Sequence, residues 1–214
     1  NNKVLNMKNI AEPTIQHITI TEDVRIKLLE CVRTLDEIHT AEGNEYDSRL
    51  GHIRENGKVG LITAEELHRL PAEYENIVTD IIFEVVNEYV KLSPILSSFE
   101  NPTFDLFHVF YCIMKEGDFH TLHNHDSEYT GDNSQYGKLS GTIYLDVPND
   151  LTWPQGNFSL VVKNYINKNQ EDNVWQRAPQ AGDSFLWPSW GIHSVYPFRS
   201  NQERIGIGYN CEYR

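Results

Sequence analysis

The sequence predicts an α+β fold: helices from the first hundred residues packed on a β-rich sandwich or barrel made by the rest. Two observations carry this. Before Pro102, apolar residues recur at three- and four-residue steps, the period of a helix with one buried face. Beyond it, short runs of aromatic and β-branched residues are broken by Pro, Gly, Asn and Asp, the texture of strands joined by turns. The length, 214 residues, suits one domain spanning 1–214, with 1–100 as helical support and 101–214 as the β core. Eleven tyrosines, nine phenylalanines and four tryptophans supply enough large side chains to fill such a core.

The first helix is expected in "TEDVRIKLLECVRTLDEIHT", where Thr21 can act as N-cap and acidic residues follow in the first turn. Val24, Leu28, Cys31, Leu35 and Ile38 form its apolar face. "TAEEL" places Thr63 three residues before Glu66, a capping box. Pro71 interrupts, and "AEYENIVTDIIFEVVNEYV" resumes with Ile77, Ile81, Ile82, Val85, Val86 and Tyr89 on one broad face. Strands are then expected in "TFDLFHVFYCIMKEG", "KLSGTIYLDV", "GNFSLVV", "DSFLWP" and "ERIGIGYNCEY". The stretch "NYINKNQEDNVWQRAPQAG" is too polar for core and reads as a long loop.

Composition narrows the partners. A net charge of −13 repels phosphate backbones and anionic lipid, so neither nucleic acid nor a membrane surface is expected. No apolar run approaches a membrane span, and no signal-peptide pattern is present. Cys31, Cys112 and Cys211 are odd in number and far apart, without a Cys-x-x-Cys pair. They read as reduced core thiols of a cytoplasmic protein.

The chemistry concentrates in "FHTLHNHDSEY", Phe119 to Tyr129. If "HNH" is extended, His123 and His125 point the same way and make half of a divalent-metal site. His193, in "WPSWGIHSVYP", is the best third candidate, although taken alone it reads better as a buried structural histidine. Arg204 opens the apolar "RIGIGYN" and shares a strand face with Gly206 and Gly208. A buried guanidinium needs an anionic partner, either an internal Asp or Glu or a bound carboxylate.

In the order "HNH", "LSGTIYLDVP", "GDSFLWPSWGIHSVYP", "ERIGIGYN", the chain resembles the non-haem iron, 2-oxoglutarate-dependent oxygenases, and within them a little-characterised branch. The resemblance covers roughly Phe107 to Asn210. It implies a double-stranded β-helix, the jelly roll also found in cupins, packed with the N-terminal helices. It implies Fe(II), 2-oxoglutarate and O2, with His123 and His193 as metal ligands. Arg204 would pair with the far carboxylate of 2-oxoglutarate, and Tyr144 matches a tyrosine that hydrogen-bonds the same group. The implied reaction is hydroxylation of a C–H bond, releasing succinate and CO2, on a peptide or small-molecule substrate.

One departure stands out. Most such enzymes carry an acid two residues after the first histidine, where this chain has His125. Either His125 is the third ligand or Asp126 swings in. Strand alternation puts Asp126 on the opposite face from His123 and favours His125, unless a bulge intervenes. His120 falls off the ligand face and reads as a pocket or surface residue. Ser140 and Thr142 share the face of Tyr144, Trp187 and Trp190 would wall the cavity, and Tyr129 and Tyr136 lie in a candidate lid.

Two other classes use the same architecture. Cupins place a glycine six residues before His-x-His, as Gly117 stands to His123, and Gly182, Pro188 and His193 fit their second motif. Their glutamate is displaced here, Trp190 stands where they place glycine, and they do not require Arg204. A non-enzymatic jelly-roll binding protein is the remaining alternative.

Overall fold

Alternation along the C-terminal strands builds two antiparallel sheets that face each other. The computed structural model describes residues 15–43, 57–74, 76–94, 96–100, 102–125, 137–161 and 174–213. Its elements run β1 (Gln16–Thr19), α1 (Glu22–Glu42), β2 (Lys58–Leu61), α2 (Ala64–Leu67), α3 (Ile77–Leu92), β3 (Phe104–Met114), β4 (His120–His123), β5 (Lys138–Asp146), β6 (Phe158–Val161), β7 (Val174–Arg177), β8 (Asp183–Pro188), β9 (His193–Val195) and β10 (Arg204–Tyr213). The major sheet has the order β1-β8-β5-β10-β3-β2 and the minor sheet β4-β9-β6-β7. This is the α+β double-stranded β-helix.

The helices cover the outer face of the major sheet. Leu28, Cys31, Val32 and Leu35 of α1, with Ile82, Val86 and Tyr89 of α3, share one core with Tyr111, Ile143, Ile205 and Ile207. Thr21 is the N-cap of α1, and Thr63 with Glu66 closes a full capping box on α2. Burying an apolar stripe against a sheet stabilises a helix far more than propensity does. The buried face of α1 centres on Val32 and ends on His39, one step round from the expected Ile38. His39 is held between Tyr111 Oη (2.8 Å from Nδ1) and Glu66 Oε1 (2.6 Å from Nε2), tying α1, α2 and β3 together.

The structure differs from the sequence reading in two places. The first hundred residues read as helical, yet β1 and β2 come from them and form the edges of the major sheet. Both are four residues long, too short for a periodic pattern to show. The polar stretch before Gly182 read as loop, yet Val174–Arg177 forms β7, the edge of the minor sheet. An edge strand with one solvated face keeps polar residues.

Between the sheets lies a second core, where Tyr144, Phe185 and Trp187 of the major sheet meet Phe158, Leu160 and Val195 of the minor. All three cysteines are buried thiols, none in a disulfide, and burial pushes the Cys112 thiol up to about 12. Among the described residues no helix is long and apolar enough to cross a membrane.

Candidate active site

Register brings the first two histidines together. His123 of β4 and His193 of β9 are direct cross-strand partners on the inner face of the minor sheet, with ring centroids 4.2 Å apart. β4 ends at His123, so His125 is not placed by strand alternation. Its backbone N–H instead donates to Ser189 O at the end of β8 (3.0 Å). That anchor sets its ring 5.1 Å from each of the other two. The three residues offer ligand atoms within 4.8 Å of one another. An irregularity in the β4–β9 register also carries His120 to the cavity wall, its ring 6.1 Å from that of His123. Asp126, the alternative third ligand, lies outside the described residues.

The donor set fits a metal. The Nδ1–H of His123 donates to Thr121 O (2.7 Å), and that of His193 to Gly191 O (2.9 Å). A carbonyl only accepts, so each ring keeps its proton on Nδ1 and presents a bare Nε2 lone pair. Burial, then the neighbouring imidazoles of His123 and His125, hold His193 well below the usual imidazole range. Neutral imidazoles packed this closely suit a divalent transition metal.

The other pole of the cavity is built on β10 and β5. Arg204 is only 4% exposed; Nη1 donates to Gly156 O (2.7 Å) and Nη2 to Tyr144 Oη (3.2 Å). Its guanidinium carbon also lies 4.8 Å from the centre of the Tyr144 ring. Among the described residues no Asp or Glu forms an ion pair with it. Of the two partners open at the sequence level, the internal carboxylate is therefore not found there. Burial raises the Tyr144 phenol above its ordinary range, with Arg204 pulling the other way. A phenol that accepts from Arg204 keeps its own proton to donate.

Both poles line one solvent-open cavity, about 620 Å3 when the open space at its mouth is included. Ser140 and Thr142 line it beside Tyr144, and Trp187 walls it with its ring 4.7 Å from that of His193. Trp190 is not among the lining residues, and Tyr129 and Tyr136 lie outside the described ones. Gly208 makes room for a ring: a Cβ there would lie 2.4 Å from Phe110 Cζ. Sequence reasoning missed Asn210, which is 2% exposed and lines the cavity. Its parity with Arg204 along β10 was the available signal.

Residues 108–210 match the model of a family described as putative 2OG-Fe(II) oxygenase. No curated protein matches the chain significantly. Among solved structures, a prolyl-4-hydroxylase from Pseudomonas putida superposes with a TM-score of 0.56 at 16% identity, over 93% of this chain and 92% of that one. A Trichoplax adhaerens prolyl hydroxylase, in complex with a peptide fragment of the hypoxia inducible factor oxygen degradation domain, gives 0.60 at 16% identity over 93% and 83%. HygX from Streptomyces hygroscopicus, with nickel and 2-oxoglutarate bound, gives 0.60 at 8% identity over 94% and 83%. At such identities the likeness is one of fold.

Proposed function

We propose, from the match of residues 108–210 to the model of the 2OG-Fe(II) oxygenase family, that the chain is an oxygenase of this kind and hydroxylates a C–H bond of a peptide or small-molecule substrate. As such an enzyme it uses Fe(II), 2-oxoglutarate and O2. His123, His125 and His193 would hold the iron, and Arg204 with Tyr144 the far carboxylate of 2-oxoglutarate. The observation that carries this is a buried guanidinium with no ion-pair partner among the described residues, facing the same cavity as three clustered imidazoles.

The chain's own contribution is positioning and enclosure. Arg204 spends two N–H groups on Gly156 and Tyr144, leaving three for a carboxylate, which it grips as a fork. The Tyr144 hydroxyl adds a donor. Phe110, Phe158 and Trp187 make the walls apolar, so these polar contacts act in a low dielectric. Bound Fe(II) supplies the redox chemistry that couples oxidative decarboxylation of 2-oxoglutarate by O2 to oxidation of the substrate.

A cupin-type dioxygenase or isomerase would also suit an all-histidine metal face, but it leaves Arg204 without a task. The two separate in an anaerobic titration of the Fe(II)-loaded protein with 2-oxoglutarate. A saturable visible charge-transfer band is expected, together with succinate formation once O2 and a substrate are admitted. Bound iron without any band would sink the oxygenase assignment of Arg204 and favour the cupin-type reading. No bound iron at all would favour a binding protein.

A further inference from the structure

We propose that Asn210 makes His125 a metal ligand, by accepting the Nδ1 proton of its imidazole. The inference rests on the three-imidazole metal site just described and concerns how its unusual third member is made competent.

The first two histidines need no such help. The carbonyls of Thr121 and Gly191 can only accept, so the Nε2 atoms of His123 and His193 are bare in every arrangement. His125 is different. Its Nδ1 lies 3.4 Å from Asn210 Nδ2, the amide end turned toward it in the structure, and both residues are buried. A carboxamide offers an acceptor at one end and a donor at the other, and the two ends exchange by a half-turn of the side chain.

The two orientations have opposite consequences. With the NH2 end toward His125, Nδ1 must accept, the ring proton moves to Nε2, and His125 cannot ligate through that atom. With the oxygen toward His125, Nδ1–H donates and Nε2 is bare. At the other end Asn210 Oδ1 accepts from Ser140 Oγ (2.7 Å), which lies 3.0 Å from Ser189 Oγ. Hydroxyls donate or accept as required, so each of these links in the chain His125–Asn210–Ser140–Ser189 can reverse direction when the carboxamide turns. A metal selects the direction that bares Nε2.

The backbone holds this chain in place. Asn210 and Ser140 are direct cross-strand partners of β10 and β5, and the β10–β3 register shifts immediately after Asn210. Ser189, which closes the chain, also accepts the backbone N–H of His125 through its carbonyl. Side chain and main chain of the third histidine are thus anchored to the same small group of residues. Hydrogen-bond partners of this kind orient metal-bound histidines and raise their basicity.

The test compares wild type, Asn210→Asp, Asn210→Leu, His125→Ala and His193→Ala. Each metal-free protein is titrated with Co(II) without oxygen, following the d–d absorption against a competing chelator. The zinc-loaded wild type and Asn210→Asp proteins are examined by 15N NMR of the histidine rings. Asp can only accept, so Asn210→Asp should bind Co(II) at least as tightly as wild type, with His125 protonated at Nδ1. Asn210→Leu should bind roughly 10- to 100-fold more weakly, approaching His125→Ala. Wild-type affinity in Asn210→Leu, weaker binding in Asn210→Asp, or an Nε2 proton on His125 would each overturn the role of Asn210 while leaving the metal site intact. If Asn210→Leu does not fold, Asn210→Asp and the ring spectrum decide alone. Absence of Co(II) binding by wild type, or unchanged binding in His193→Ala, would remove the metal site itself and the inference with it.

Discussion

Replacing Arg204 by Met separates a guanidinium that serves the fold from one that serves a ligand. Wild type buries a full charge whose protein partners are a carbonyl and a phenol, Gly156 O and Tyr144 Oη. A charge with that company is costly to bury, and an apolar residue of similar length is often neutral or stabilising in its place. Against this, Gly156 O loses its donor, at a cost of about 1–3 kcal/mol. The two effects oppose, so ligand-free Arg204→Met should melt within a few degrees of wild type. Ligand binding is another matter. Two charge-assisted hydrogen bonds at about 1.5–3 kcal/mol each imply a loss of about 3–6 kcal/mol. At 1.36 kcal/mol per decade, 2-oxoglutarate should bind roughly 150- to 25,000-fold more weakly. The assay is thermal unfolding of Mn(II)-loaded protein without oxygen, across a 2-oxoglutarate series. At a hundredfold excess over Kd the ligand adds about 2.7 kcal/mol, and for a chain of this size that raises Tm by roughly 5–10 °C. Wild type should show this rise and Arg204→Met none at the same concentrations. A large fall in ligand-free Tm with the ligand-induced rise intact would refute the argument and make Arg204 a structural residue.

Three further expectations bear on the same architecture. Tyr144→Phe removes one donor and should weaken 2-oxoglutarate about 5- to 30-fold, the worth of a single hydrogen bond, with little change in metal affinity; an unchanged Kd would take Tyr144 out of the anchor. His39→Leu withdraws the shared partner of Tyr111 and Glu66 and should cost about 2–4 kcal/mol, read as a lower denaturant midpoint at unchanged slope. A midpoint matching wild type would mean that this link between α1, α2 and β3 adds nothing. Asp118 has one oxygen accepting Lys115 N–H (2.7 Å) and the other buried with no hydrogen-bond partner among the described residues, and burial raises its pKa. A carboxyl whose folded pKa is raised contributes stability when protonated and loses it as pH rises through that value. Asp118→Asn should therefore raise Tm at pH 7, and the gain should shrink as pH falls toward 4; a gain that grows in acid would reverse the assignment.

Much of the architecture was legible because it is local. Short apolar and aromatic runs bounded by turn residues, such as Asp183–Pro188 and Arg204–Tyr213, announce strands, and the Thr63–Glu66 capping box announces a helix start, from a handful of neighbouring side chains. β1, β2 and β7 escaped notice because a four-residue edge strand owes its existence to the strand it joins, and its own sequence carries little signal. In the site, the residue types were readable and their meeting was not. His123 and His193 stand seventy residues apart and face each other through the β4–β9 register alone. Extended geometry suggested the right side for His125 through the wrong cause. The strand stops at His123, and a hydrogen bond to Ser189 turns the next residues inward.

By itself, then, the amino-acid order determined where the imidazoles and the guanidinium of the candidate site stand, and where most of the strand and helix segments lie, because side-chain chemistry and short-range periodicity are properties of neighbouring residues. Tertiary structure decided that Arg204 has a carbonyl and a phenol as its hydrogen-bond acceptors among the described residues, that three imidazoles share one cavity, and that the third of them lies against Asn210. Those outcomes depend on which strands pair and in what register, and pairing is settled by the burial of both sheet faces across the whole chain.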